Sequence, residues 1–342
     1  MTKNFTGGQM LIAVDATGGD YAPREIVKGA IEAVSEYPID IALVGNKAVL
    51  EMLLRRSTRK SNITIVPADQ VIRDGEEPIQ AVQNKPDSSV VVGINLVKDG
   101  TADGFVSAGS TGATVVASFL NLSLVKGIER LAVCAVFDAN QPQPTFLIDV
   151  GVNANCRPIF LMQFAQMANI LAHQVFGLDS PRVALLNIGE EEIKGNNLAK
   201  ESYQLLKKTD LNFVGNIEGY DIFRGKADVI VTDGFTGNIL VKTIEGYSEI
   251  IQNLLELQEA SKLDRQLTGA ALAQYVQMTS FIKKLDYKEY GGASLLGVNG
   301  NIVIAHGRSR AKAIKSAIYL AYLAAKQRVV EAIQNGQYAA SV

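Results

Sequence analysis

At 342 residues, with 33 Lys+Arg against 35 Asp+Glu and 47% apolar residues, the chain has the composition of a core-forming globular protein of about two domains or one large two-lobed unit. A net charge of −2 leaves no domain-wide basic excess to displace phosphate counterions, which argues against a nucleic-acid partner. The longest apolar stretch, 317–325, falls well short of the roughly 20 residues of a bilayer span. The first ten residues read as a polar tail without a secretory core, so the expected location is the cytoplasm.

Short apolar runs alternate with segments of helical period along most of the chain. The strand candidates are 11–16, 39–45, 63–68, 102–108, 131–137, 145–151, 182–189, 212–217, 228–234 and 301–307. Their continuous apolar character suits strands buried on both faces. The alternation predicts an α/β fold, a large mostly parallel sheet with helices on both faces. From 237 to about 290 no strand intervenes, and this stretch reads as a helical excursion of two long helices with a break near 261–264. Its Leu254, Leu255, Leu257, Leu263, Leu267, Phe281, Ile282 and Leu285 suit packing between subunits, rest on a bilayer surface, or plain core within the chain. At the far end Ala311, Ile314, Ile318, Ala321, Ala325, Val329 and Ala332 recur every three or four residues and predict one core helix. The expected division is a tail over 1–10 and a single two-lobed α/β unit over 11–342.

Five strand runs end in Gly-rich turns that open a helix, at 16–20, 107–114, 187–197, 232–238 and 305–309. In an open α/β sheet the carboxyl ends of the strands share one edge, so these turns are expected to converge on one crevice. Glycine lets main-chain N–H groups approach a ligand closely, and a helix N-terminus adds unsatisfied donors and a positive dipole end. Such turns suit phosphate or an oxyanion. Each alone is also an ordinary helix cap, since Ser110, Thr111 and Thr236 are good capping residues. The last helix begins with His306, Arg308, Arg310 and Lys312, cations placed where the dipole disfavours them by about 0.3–1 kcal/mol each, a conflict that an anion would relieve. Asp15, Asp149 and Asp233 stand at strand ends, where a carboxylate either braces a turn or takes part in chemistry. No G-x-G, GxxxxGK, HExxH or GxSxG occurs, which weakens dinucleotide, nucleotide, zinc-protease and hydrolase readings together. The two Cys form no CxxC pair, and no metal site or cofactor is expected.

Five blocks in order, IAVDATGGD (12–20), SAGSTGA (107–113), TDGFTGN (232–238), GGASLLGVNG (291–300) and AHG (305–307), resemble the phosphate acyltransferases of bacterial phospholipid synthesis over nearly the whole chain. The resemblance implies acyl transfer from acyl carrier protein to inorganic phosphate, giving acyl phosphate for phosphatidic acid synthesis. It also implies a homodimer, a fold similar to phosphotransacetylase and the isocitrate and isopropylmalate dehydrogenases, and peripheral association with the membrane. Tyr21 stands where the family usually has His, Ser110 for Asn, Arg308 for Ser, Asn155 for Asp, and Ile159 and Phe160 for a Glu-His pair. Lys194, Asn196, Asp233, Asn238 and His306 are retained.

The expected mechanism is direct displacement, because phosphate is already nucleophilic and needs positioning more than proton abstraction. Lys194, Asp233, Asn238 and His306 are the expected catalytic residues. Lys194, with the amides of Ser110 and Thr111 and with Arg308, is expected to hold phosphate. Asn238 would donate to the oxyanion, Asp233 would orient its turn, and His306 would stabilise or protonate the departing thiolate. Gly18, Gly19, Asp20, Gly109, Gly112, Asn196, Gly234, Thr236 and Gly237 complete the expected substrate contacts. Three other readings stay open: a covalent route through Cys156, a metal-dependent dehydrogenase on the implied fold, and a non-catalytic scaffold at a membrane.

Overall fold

The computed structural model describes residues 9–55, 62–137, 143–261 and 291–336. The chain opens with β1 (Met10–Asp15), α1 (Arg24–Glu36), β2 (Ile39–Gly45), α2 (Lys47–Leu54), β3 (Ile63–Pro67), α3 (Pro78–Asn84), α4 (Ser89–Lys98), β4 (Gly104–Ser107) and α5 (Thr111–Leu122). It continues through β5 (Ala132–Phe137), β6 (Thr145–Ile148), α6 (Pro158–Phe176), β7 (Val183–Leu186), α7 (Asn197–Leu206), β8 (Phe213–Ile217), a short 3-10 helix (Gly219–Arg224), β9 (Val229–Val231) and α8 (Gly234–Ser261). It closes with β10 (Ala293–Leu296), β11 (Asn301–Ile304), α9 (Ala311–Lys326) and α10 (Val329–Asn335).

All these strands join one sheet in the order β3-β2-β1-β4-β11-β10-β5-β6-β9-β7-β8. Each of the ten expected strands is present. The eleventh, β10, lies inside the Gly-rich block 291–300, where four residues between glycines carry no periodic signal. Seven of the ten strand pairs are parallel, as expected for a mostly parallel sheet, and the three antiparallel ones all involve β10 or β5. Those three reverse the polarity: β1, β4 and β11 point one way, while β6, β9 and β7 point the other. The carboxyl ends of the two groups therefore lie on opposite edges. The expectation of one shared edge is corrected here.

Alternation along the strands sends side chains to two faces. On one face Ile12, Val14, Ile41 and Leu43 pack with Ile26 and Ala30 of α1 and with Ile314, Ala317 and Ala321 of α9. Further along the sheet Phe146, Ile148 and Val229 pack under Phe164, Met167 and Leu171 of α6. The other face carries Leu11, Ala13, Ala135 and Leu147 beneath α4, α5 and the first turns of α8. The single terminal helix expected from the apolar stripe is two. Arg328 adopts a left-handed conformation at φ 53° and breaks it, so that Ala317 and Ile318 serve the α1 layer while Val329 and Ile333 serve the α6 layer. Of the expected helical excursion, α8 is described; its proposed break and second helix lie outside the described residues.

Phe146 is fully buried and meets Phe176 edge-on at 5.0 Å between ring centroids. Phe146→Ala should lower the unfolding free energy by about 3–5 kcal/mol, read from urea denaturation.

Candidate active site

The turns after β1, β4 and β11 are laced together. Asp15 is buried and accepts from the amides of Thr17 (3.0 Å) and Gly18 (3.1 Å) and from Ser107 Oγ (2.7 Å), and Ser107 Oγ in turn accepts from the Gly109 amide (3.0 Å). A Cβ at Gly18 would lie 2.6 Å from the Gly109 nitrogen, so only glycine lets these two turns touch. The Asp20 amide donates to the Gly307 carbonyl (2.8 Å), which closes the set. Gly18, Gly19, Asp20, Gly109, Ser110, Thr111, Gly112, His306 and Arg308 thus belong to one neighbourhood. Within it Ser110 caps α5 through its Oγ, which accepts from the Ala113 amide (3.3 Å). Tyr21, the departure in this turn, lies under the Arg310 guanidinium at 4.7 Å.

The α9 N-terminus already holds an anion. Glu25 of α1 accepts from the Ala311 amide at 2.9 Å, so the conflict between the dipole and the local cations is met inside the chain.

A second neighbourhood forms where β6 and β9 end, on the opposite edge. Asp149 is buried and accepts from the amides of Val133 (3.1 Å), Gly151 (3.3 Å), Val152 (3.3 Å) and Asn153 (2.7 Å) and from Asn153 Nδ2 (2.8 Å). Burial pushes its carboxyl group above the usual range, and these donors, led by Asn153, oppose that shift. The first turn of α8 rests on this turn. The Gly234 amide donates to the Asn153 carbonyl (2.8 Å), and a Cβ at Gly237 would collide with the Asp149 carbonyl oxygen. Asp233 caps α8, accepting from the Thr236 amide (2.9 Å) and from Thr236 Oγ1 (2.8 Å). Asn238 stands beside Gly151. Phe160, another departure, is buried at the start of α6 beneath the Arg157 and Arg130 guanidiniums.

Lys194 and Asn196 occupy the turn after β7. Asn196 caps α7 by accepting from the Ala199 amide (2.9 Å), and Lys194 Nζ lies 4.0 Å from Glu191 Oε1. Asn196, Asp233 and Thr236 border a cavity of about 500 Å³ whose walls include Leu185, Ile188, Leu198, Ile239 and Leu240. Lys194 and Ser110 follow strands of opposite direction six places apart in the sheet, about 29 Å at 4.8 Å per strand. The two turns therefore do not share a strand edge.

What joins the two edges is α8. It leaves the β9 edge and packs Val241 and Ile244 onto the sheet within the same cluster as Ile304 of β11. It then brings Glu245 Oε2 to 3.8 Å from His306 Nε2. Sequence reasoning missed Glu245 and its partner Lys242, whose Nζ donates to the same Oε2 at 2.9 Å. The signal was available: Asn238, Lys242 and Glu245 are spaced i, i+4, i+7 and share one helix face.

The family described as "Fatty acid synthesis protein" matches residues 10–332. A protein of Dehalococcoides mccartyi named phosphate acyltransferase is 49% identical over 320 residues, covering 94% of this chain and 92% of its own. The chain belongs to the phosphate acyltransferase family. Membership makes it an acyltransferase. Among solved structures, a phosphotransacetylase from Streptococcus pyogenes superposes with TM-score 0.60 at 20% identity, covering 93% of this chain and 94% of that one. A 4-hydroxythreonine-4-phosphate dehydrogenase from Klebsiella pneumoniae gives 0.55 at 13%, covering 93% and 100%. The chain thus shares its fold with proteins of other chemistry, so the fold by itself does not name the reaction.

Cys156 lies near both Asp149 and Asp233. Burial first, then those two charges, pushes its thiol from the usual 9.0 up to about 12. That leaves on the order of 10⁻⁵ of it as the nucleophilic thiolate at pH 7, which disfavours a covalent route. Iodoacetamide labelling of Cys156, followed by peptide mass spectrometry, should rise roughly tenfold per pH unit beyond pH 9 without levelling there.

Proposed function

We propose that the chain transfers a fatty acyl group from acyl carrier protein to inorganic phosphate and releases acyl phosphate, a donor for phosphatidic acid synthesis. The 49% identity over 94% of the chain to a protein named phosphate acyltransferase carries this reading. The geometry supports it through two braced turn systems and a helix that runs between them.

A phosphate oxygen attacks the thioester carbonyl, the carbonyl electrons move onto oxygen, and the tetrahedral intermediate collapses with the C–S electron pair leaving on sulfur. Asn238, with main-chain amides at the start of α8, is assigned to the oxyanion, and Asp233 holds that turn by capping it. The Ser110 and Thr111 turn and Arg308 are assigned to substrate phosphate groups. The Arg308 amide donates to His306 Nδ1 (3.1 Å), so the neutral ring carries its proton on Nε2. In that form His306 stabilises the departing thiolate by donating a hydrogen bond rather than by handing over its proton. Lys194 is assigned to the acyl-thioester side of the site, two residues from the Asn196 that borders the cavity.

We also assign a homodimer. Phe235, Ile239, Tyr247 and Ile250 form an exposed apolar face on α8, and Ile188, 79% exposed, extends it across the cavity mouth. A second copy covering this face would remove it from water. Among the described residues no helix is long and apolar enough to cross a membrane, and we assign a cytoplasmic enzyme with peripheral membrane contact.

Incubation with acyl-carrier thioester and phosphate, with neutral hydroxylamine as trap, should yield hydroxamate only when phosphate is present. Asn238→Ala should lower turnover by about 10²–10³, and Cys156→Ser should leave it unchanged; near-full rate in a folded Asn238→Ala dimer would overturn the oxyanion assignment. Ile239→Arg should halve the mass measured by light scattering.

A further inference from the structure

The side chains of α8 divide among three faces. Val241, Ile244 and Ser248 are buried against the sheet; Phe235, Ile239, Tyr247 and Ile250 make the exposed apolar face; Asn238, Lys242 and Glu245 make a polar row between them. One end of that row is Asn238, assigned above to the oxyanion, and the other faces His306. Asn238 adjoins Gly151 at one end, and Glu245 faces His306 at the other, about 10 Å away at 1.5 Å per residue. Lys242 stands between them, one turn from each, and is the only Lys or Arg in α8.

We infer that Lys242 binds the attacking phosphate, and that Glu245 is a positioning residue whose carboxylate takes the Lys242 ammonium when no anion does. The inference deepens the reading given above and rests on it, since it adds a cation to the helix row that reaches His306. The Glu245 side chain is 16% exposed, while that of Lys242 is 57% exposed. The carboxylate is thus the more buried partner and the ammonium the more accessible one. An ammonium has three donors, and Glu245 occupies one of them. The ammonium end of the pair is open to solvent, so a phosphate dianion can compete for it. Seated there, phosphate lies on the helix row between Asn238 and the Glu245 carboxylate that faces His306 Nε2. Glu245 then sits beside a second negative charge, and its own charge weakens the binding it helps to aim.

That opposition fixes the sign of the test. Inorganic phosphate is titrated by calorimetry into the full-length protein and into folded variants matched by circular dichroism, and the KM for phosphate is measured in parallel. Lys242→Met should raise the phosphate Kd and KM at least tenfold with a smaller loss in kcat, and Lys242→Arg should recover part of the loss. Glu245→Gln should lower the phosphate Kd severalfold, a tightening that structural damage would not produce. Lys98→Met, exposed on α4, should change nothing. Wild-type phosphate affinity in Lys242→Met overturns the inference, as does weaker binding in both Lys242→Met and Glu245→Gln. So does a Lys242→Met loss seen in the KM for the carrier thioester but not for phosphate, because the cation would then serve the carrier's own phosphodiester. If no thioester is turned over while phosphate binding still depends on Lys242, the acyl-transfer reading fails and this inference stands.

Discussion

The first turn of α8 lies so close to the turn at 149–153 that neither Gly234 nor Gly237 could carry a side chain. This contact determines where the helix starts and how it is aimed. Asp149 makes it possible: by collecting amide donors it holds its turn in the one shape against which a bare helix backbone can rest. From there α8 crosses the sheet and reaches His306, a residue whose own strand ends on the far edge. The two strand groups contribute to one row of polar groups because a helix, and not the strand ends, carries the chain from one edge to the other.

Much of this was legible in the sequence. Ten strands could be read because continuous apolar runs bounded by glycine have few other physical solutions in an α/β protein. β10 could not, since Ala293 to Leu296 is too short for a period and its glycine neighbours suggest a loop. Strand polarity was equally hidden. It depends on how β10 and β5 pair, and pairing across the chain leaves no trace in local pattern. The same blindness affected the C-terminal helix, because nothing in the composition of Arg328 announces a left-handed residue.

The candidate residues divide along a related line. Gly18, Gly234 and Gly237 were noticed as ligand-facing glycines, and each is also required by the close approach of protein to protein. Ser110, Asn196 and Asp233 were noticed for chemistry and all act as helix caps. Capping and chemistry draw on the same residue types, since both need a small oxygen acceptor near free amides. Lys242 and Glu245 escaped notice for the opposite reason. A Lys and Glu three residues apart on a helix look like ordinary solvent-exposed residues until a histidine from another strand is found beside them.

The Glu25 carboxylate on the Ala311 amide has a consequence for how selectivity can arise. A helix end attracts any anion through its backbone, and that attraction is the same whatever the sequence. Here Glu25 takes one of its amides, so an incoming ligand near His306 competes with a carboxylate already in place and is sorted largely by the side chains around it. Discrimination among anions in this region can therefore drift by single codon changes, while the scaffold beneath it stays as it is.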